Sequence, residues 1–289
     1  MIIELVRIPK GKFLMGSPQT ERDDLKKRYA YEPKNEDEHE VELTRDYWLG
    51  KSAITRGQFR AFVEDENYET EAERDKEGGY GYDESTGKIE GRKPKYTWKF
   101  TGWGQYDKNL DDHPVVNVTW NDADAYCKWV KRKSGRDVRL PTEAEWERAC
   151  RGGERKGRFH FGEDEEDLAK YGNVADAGWK KKFDSVDPTI KADDGYVFTA
   201  PVKSFKPNQY GLYDMHGNVW QWCNDKYGAD YYGKGDKTNP QGPDEGSFRV
   251  FRGGGWESLP RICRAAYRFW YAPSNRSNDL GFRLAVSVR

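Results

Sequence analysis

Length, composition and charge exclude several classes of protein. The chain has 289 residues, which is long enough to bury a substantial core as one large domain or two smaller ones. Its 49 Lys and Arg residues balance 50 Asp and Glu residues, so no basic excess points to nucleic acid or to an anionic membrane. Mean hydropathy is low, at -1.07, but 11 Trp, 18 Tyr and 13 Phe supply large buriable surfaces that disordered chains lack.

The amino-terminal residues and the spacing of the cysteines exclude further classes of protein. Residues 1–18 contain only a short apolar run and no basic leader, so they predict neither a signal peptide nor a membrane-spanning segment. Cys127, Cys150, Cys223 and Cys263 lie far apart without the spacing of a zinc site or a disulfide framework, so reduced thiols are expected. We therefore expect neither nucleic-acid binding nor direct membrane insertion by this chain.

The first part of the chain predicts strands followed by one helix. Residues 3–17 alternate apolar and polar side chains around a Pro-Lys-Gly turn, which predicts a two-stranded hairpin. The charged residues 21–40 are typical of a solvated loop, and residues 41–55 predict a strand. Thr55 and Gln58 form a capping box, which predicts a helix with one aromatic face.

The middle of the chain contains the most regular pattern. Residues 66–112 show no period and predict a long irregular excursion. Asn121 or Asp122 is then expected to cap a helix, and Thr142 with Glu145 forms a second capping box. Past this second helix we expect no other, only short aromatic strands separated by turns.

Five motifs resemble, in order and across nearly the whole chain, the formylglycine-generating enzyme / sulfatase-modifying factor family. They are "GKFLMGS", "LPTEAEWERACRGG", "TAPVKSFKPNQYGLYDMHGNVWQW", "RVFRGGGW" and "LGFRL". The resemblance implies an α+β fold of the C-type lectin-like kind, with few helices, short antiparallel strands and much irregular structure. Since no low-complexity break divides the chain, one such domain is predicted over residues 1–289.

The resemblance also locates the catalytic centre of the enzymes, and here the chain departs from their pattern. In formylglycine-generating enzymes two cysteines, two and seven positions after an aromatic residue, bind copper and activate oxygen. Counted from Trp256, those positions are Ser258 and Cys263. Cu(I) prefers soft thiolate ligands, so we expect no copper and assign no catalytic residue. Cys263 remains open to two interpretations, as a small buried apolar residue or as a catalytic thiol.

Structural calcium is the cofactor that the resemblance favours. The family's calcium site matches Asn173 and Asp194 as side-chain ligands, with Val174 and Tyr196 offering backbone carbonyls, and such oxygens suit calcium. The same residues also fit ordinary turns. A second family site would need an acidic residue where this chain has Gln221, and a neutral amide weakens it.

Residues 252–284 combine a frame of glycines, arginines and "GFRL" with unrelated side chains, and the combination resembles the variable protein of a diversity-generating retroelement. In that system adenines of a template are copied as any base, and many of its frames carry asparagine at the exchanged positions. The positions expected to vary, and to bind a ligand, are Glu257, Ser258, Leu259, Ile262, Phe269, Trp270, Tyr271, Ala272 and Ser277.

The genetic code allows a check of this hypothesis. An Asn codon with altered adenines encodes Ser, Leu, Ile, Phe, Tyr or Ala, which covers every one of these positions except two. Trp270 is reachable from an AGG codon, whereas Glu257 requires a Lys-type codon or an unvaried position. The sequence thus favours a non-enzymatic protein that binds a protein or other macromolecule. The places of display that this role suggests are a virion or a cell surface. The alternative is a copper-dependent formylglycine-generating oxidase or a related sulfatase-modifying factor.

Overall fold

The computed structural model describes residues 2–103, 110–153, 157–185, 187 and 189–288. Twelve short strands occur in this part of the chain: β1 (Leu5–Ile8), β2 (Gly11–Met15), β3 (His39–Leu43), β4 (Tyr47–Gly50), β5 (Gly79–Asp83), β6 (Lys88–Lys93), β7 (Val138–Arg139), β8 (Trp220–Lys226), β9 (Arg249–Arg252), β10 (Arg268–Tyr271), β11 (Leu280–Phe282) and β12 (Ala285–Ser287). The α-helices are α1 (Gln19–Tyr29), α2 (Arg56–Glu66), α3 (Glu71–Arg74), α4 (Trp120–Ser134), α5 (Glu143–Arg151), α6 (Ala177–Phe183) and α7 (Tyr231–Lys234).

The strands form two four-stranded sheets and two two-stranded sheets. One sheet has the order β1-β4-β12-β7 and the other the order β10-β9-β8-β11, while β2 pairs with β3 and β5 with β6. All pairs are antiparallel except β8 with β11. Short strands, few long helices and much irregular chain confirm the predicted α+β class. No helix in the described ranges is both long enough and apolar enough to cross a bilayer.

Two predictions for the first part of the chain are wrong. β1 and β2 do not form a hairpin, because β1 pairs with β4 and β2 with β3, in different sheets. Alternation sets which residues form strands, but it does not choose the partner. The charged segment contains helix α1 instead of a loop, because Leu25 is fully buried and Glu21 pairs with the buried Arg264.

The capping boxes at Thr55 and Thr142 are confirmed as the starts of α2 and α5. The predicted cap of α4 is wrong by two to three residues. Thr119 caps this helix, and Asp122 closes the capping box by accepting the Thr119 N–H at 2.9 Å. The expectation of no helix after α5 is also wrong, since Asp176 caps α6 and α7 follows. Residues 66–112, expected to be irregular, contain α3 and the β5–β6 hairpin.

Candidate functional site

A cleft of about 380 Å³ opens at the sheet that contains β10, β9, β8 and β11. The turn that follows β9 lines one part of the cleft, and side chains of β10 and β8 line another. Seven of the nine positions expected to vary meet there: Glu257, Ser258, Leu259, Ile262, Phe269, Tyr271 and Ser277. Residues far apart in sequence therefore contribute to one concave surface.

Strand β10 divides the three consecutive aromatic residues between two faces. Phe269 and Tyr271 line the cleft, and both rings contact Phe251, with centroids 5.5 and 5.0 Å away. Trp270 lies on the opposite face of β10 and stacks on Tyr227, with the two ring centroids 3.7 Å apart. This alternation is the ordinary consequence of a strand. The structure accordingly leaves Trp270 outside the cleft, and Ala272 does not line it either.

A tight turn from Gly255 to Ser258 positions the first cleft residues. The Ser258 N–H donates to the Gly255 carbonyl at 2.9 Å, and the Ser258 hydroxyl accepts the Gly255 N–H at 2.9 Å. Gly254 has a φ of +78°, and a Cβ there would lie 2.5 Å from the Cys263 sulfur. A side chain at Gly254 would therefore displace the thiol or the turn.

Cys263 lies in an apolar environment beneath this turn. Its side chain is fully buried and packs in a cluster with Phe159, Leu168 and Val174. Burial raises the pKa of the thiol well above its ordinary range, so the sulfur is protonated at neutral pH. The Ser258 hydroxyl is engaged with the backbone of its own turn. This pair does not supply two thiolates, and it does not fit a Cu(I) site of the enzyme type.

Buried arginines hold the strands around the cleft. Arg252 of β9 and Arg268 of β10 both pair with Glu143, and Arg252 also pairs with Glu147. Arg264, just before β10, pairs with Glu21 and Glu36. The sequence identified the three arginines as part of the frame, but their acidic partners were missed. The sequence gives one indication of these partners: Glu143 and Glu147 are four residues apart on a predicted helix, which places both on the same helix face.

Further cleft residues escaped the sequence reasoning. Trp179 of α6, Asp187, Trp220 of β8 and Asp279 also line the cleft. Asp279 stands in the "NDLGFRL" motif and was interpreted as frame. Trp179 and Asp187 come from a region where no helix was expected. No signal in the sequence near them points to the cleft.

The residues expected to bind calcium lie together in the structure. The Asn173 side-chain oxygen is buried without a hydrogen-bond partner in the part of the chain that the structure describes. The Asp194 carboxylate accepts the N–H groups of Val174 and Tyr196 at 2.9 and 3.0 Å. Burial, together with neighbouring Asp176, raises the pKa of Asp194 to about 7. Asn173 thus offers an unpartnered side-chain oxygen and Asp194 a carboxylate held by backbone N–H groups, and both are oxygen donors of the kind that calcium prefers.

The second calcium position is arranged differently. The Gln221 side-chain oxygen accepts hydrogen bonds from Trp146 at 2.8 Å and from Arg283 at 2.6 Å, and its amide donates to the Asp214 carbonyl. These contacts fill the position with a guanidinium and an amide. The Arg283 guanidinium disfavours a cation there, although one buried carboxylate oxygen of Asp214 has no hydrogen-bond partner among the described residues.

Comparison with known proteins identifies the family. The family model described as a sulfatase-modifying factor enzyme 1-like domain matches residues 1–288. The chain belongs to the sulfatase-modifying factor family. It is 33% identical over 296 residues to a formylglycine-generating enzyme of Streptomyces coelicolor, covering 97% of this chain and 88% of that protein.

Two solved structures share the fold of the chain. The structure of PvdO from Pseudomonas aeruginosa matches with a TM-score of 0.75 at 27% identity, covering 99% of this chain and 95% of that one. Treponema denticola variable protein 1 matches with a TM-score of 0.68 at 23% identity, with the same coverages. At that identity the likeness to the variable protein concerns the fold, and it confirms the predicted C-type lectin-like architecture. The similarities thus extend to an enzyme and to a variable protein.

Proposed function

We propose that this protein binds a ligand in the cleft of Glu257, Ser258, Phe269 and Tyr271 and does not form formylglycine. More specifically, we propose that the protein is a variable protein of a diversity-generating retroelement. The observation that carries the proposal is the convergence of seven positions, expected to vary on sequence grounds alone, on one cleft. A frame that stays rigid while its contact residues change loses little entropy on binding.

The chemistry at the enzyme's copper position supports the same proposal. Ser258 is bonded within its turn, and the Cys263 thiol is neutral and buried among apolar side chains. A hydroxyl and a single cysteine sulfur do not replace two cysteine thiolates as Cu(I) ligands. The calcium site at Asn173 and Asp194 is part of the proposal as a structural element.

An oxidation assay tests the absence of the enzyme activity. Purified protein is incubated with Cu(I), oxygen, a thiol reductant that supplies the two further electrons for reduction of oxygen to water, and a Cys-x-Pro-x-Arg peptide, and aldehyde is measured by mass spectrometry. We expect no aldehyde above the no-protein control, while an active formylglycine-generating enzyme serves as the positive control. Aldehyde formation by the wild-type chain, lost in the Cys263→Ala variant, would establish the oxidase alternative.

The retroelement role has its own test in DNA. The region downstream of the gene is expected to hold a near-copy of the last hundred or so bases, with adenines at the codons of the exchanged positions, and a reverse transcriptase gene. Sister clones are expected to differ at the cleft positions and to share the frame. Differences scattered evenly over the frame and the cleft would contradict this role.

A further inference from the structure

Two carboxyl groups lie together in the cleft. Asp279 is buried, Glu257 is partly buried, and each electrostatically influences the other. Gly255 makes the proximity possible, because a Cβ on it would lie 2.9 Å from the Cβ and one carboxylate oxygen of Asp279. The chain therefore passes directly over Asp279 and places Glu257 two residues later. Glu257 is also the position that template variation explained least well.

This pair differs from every buried glutamate in the described ranges. Those glutamates all have an arginine partner: Glu21 and Glu36 pair with Arg264, Glu143 with Arg252 and Arg268, Glu145 with Arg139, and Glu147 with Arg151 and Arg252. By contrast, none of the described residues lining the cleft is Lys, Arg or His. A third carboxylate, Asp187, stands at the cleft. The cleft thus holds acidic groups without the arginine that pairs with each of these buried glutamates.

Aromatic rings surround the carboxyl pair. The rings that line the cleft belong to Trp179, Trp220, Phe251, Tyr267, Phe269 and Tyr271. The faces of such rings attract cations, most strongly where water is displaced. Neutral alkyl groups would also pack on these rings, but they would leave the two carboxyls without a counter-charge, because the side-chain hydrogen bonds of Asp279 come from the neutral Ser277 and Trp220. Rings and carboxylates together favour a group that is both positively charged and partly apolar.

The protonation of the pair agrees with this arrangement. Burial and the neighbouring Asp279 raise the pKa of Glu257 to about 8, so the cleft without a ligand retains a proton at neutral pH. The other groups that face the pair are Asp187 and the phenols of Tyr267 and Tyr271, with Lys88 in the adjoining cavity. A cation bound between the carboxyls would replace the proton.

We infer that the cleft binds an organic cation, an alkylammonium or guanidinium group, between the Glu257–Asp279 pair and the surrounding rings. The inference rests on the proposed function and names its ligand class. A second cavity, of about 320 Å³, shares Trp179 and Glu257 with the cleft. It provides space for the chain that carries the cation. The cation therefore comes from a free amine or from a lysine or arginine side chain of a partner.

Calorimetry with defined probes tests the ligand class. The probes are butylguanidinium, tetramethylammonium, neutral pentanamide, anionic pentanoate, and short peptides with a central Lys, Arg or norleucine. We expect the cations to bind about tenfold or more tightly than the neutral and anionic probes. Tighter binding of the Lys or Arg peptide than of the free cations assigns the source to a partner chain, and the reverse assigns it to a free amine.

Two further measurements separate specific recognition from a general effect of charge. Binding of butylguanidinium near neutral pH should release protons, seen as a dependence of the heat on the buffer, and its affinity should rise toward pH 8. The Glu257→Gln variant should lose the proton release and about tenfold in affinity, while Glu245→Gln, at an exposed position away from the cleft, should change neither.

The outcomes distinguish this inference from the function on which it rests. Equal or tighter binding of the neutral or anionic probes would overturn the cationic ligand class and retain ligand binding in the cleft. Absence of cation binding to the wild-type protein would also overturn it, whether or not the Glu257 variant folds. Formation of aldehyde in the oxidation assay would instead overturn the proposed function.

Discussion

Replacing Glu147 by Gln should destabilise the protein far more than replacing an exposed glutamate. Glu147 is fully buried on α5 and accepts hydrogen bonds from Arg151 at 2.6 and 3.0 Å, from the Gly16 N–H at 2.8 Å, and from Arg252. The neutral amide would leave two buried guanidinium groups without a full counter-charge. Breaking a buried pair in this way costs about 3–5 kcal/mol in the free energy of unfolding.

The same carboxylate gives this prediction a pH signature. Burial opposes ionisation, but Arg151 and Arg252 hold the pKa of Glu147 at about 2, below its ordinary 4.5. That difference corresponds to about 3 kcal/mol of stability, which is fully present above pH 4.5 and is lost as the pH falls toward 2. The deficit of the Gln variant should therefore be largest near neutral pH and smaller near about pH 3.

Urea unfolding, followed by tryptophan fluorescence, measures both effects. At neutral pH the midpoint of the Glu147→Gln variant should fall by about 1 M or more relative to the wild type. Glu40→Gln is the matched control, since Glu40 pairs with Lys12 at 2.8 Å with both side chains about 60% exposed. Similar midpoints for the two variants, or a deficit independent of pH, would refute the idea that this network stabilises the frame.

Three other predictions address the frame, the cation site and the cleft. Gly254→Ala should lower the free energy of unfolding by about 2 kcal/mol, because φ is +78° and the new Cβ would meet a buried sulfur, whereas Gly91→Ala, with nothing within 4 Å, should leave the thermal midpoint unchanged. Calcium added after chelation should raise the thermal midpoint of the wild type but not of Asn173→Ala, and equal shifts would contradict the site. Trp270→Ala should leave the affinity for butylguanidinium unchanged, whereas Tyr271→Ala should weaken it, and isothermal titration of both variants checks this contrast.

The parts of the fold that depend on local rules could be predicted from the sequence. Thr55 and Thr142 start helices because a hydroxyl and a carboxamide or carboxylate three residues apart satisfy the free backbone groups of the first turn. Helix α1 could not be predicted in this way. Its Glu21 is buried and pairs with Arg264, which lies 243 residues later in the sequence. The charge of Glu21 therefore marks a tertiary contact and not a solvent-exposed position.

The residues of the cleft likewise include some that the sequence predicted and others that it did not. A resemblance in the sequence picked out the turn after Trp256, and seven of the nine chosen positions meet in the cleft. The separation of Trp270 from Phe269 required knowledge that β10 is a strand with one face on Tyr227. Trp179 and Asp187 required knowledge of how α6 and the segment after it pack. Contacts between distant segments depend on how the whole core packs. They produce no periodic pattern in the sequence from which they could be predicted.

The structure also separates cleft positions that the sequence pattern treated as equivalent. Tyr271 is 38% exposed, while Leu259 and Ser258 are only 9% and 6% exposed, and the Ser258 hydroxyl caps the turn. Exchange at Tyr271 or Glu257 alters the cleft without removing support from the frame, because the buried arginine–glutamate pairs hold β9 and β10 independently of those side chains. Exchange at Ser258 or Leu259 changes burial and a backbone hydrogen bond as well. If the cleft is diversified, the physical cost of variation therefore increases from the exposed Tyr271 toward the buried Ser258 and Leu259, and the variants that survive should be most diverse at Tyr271.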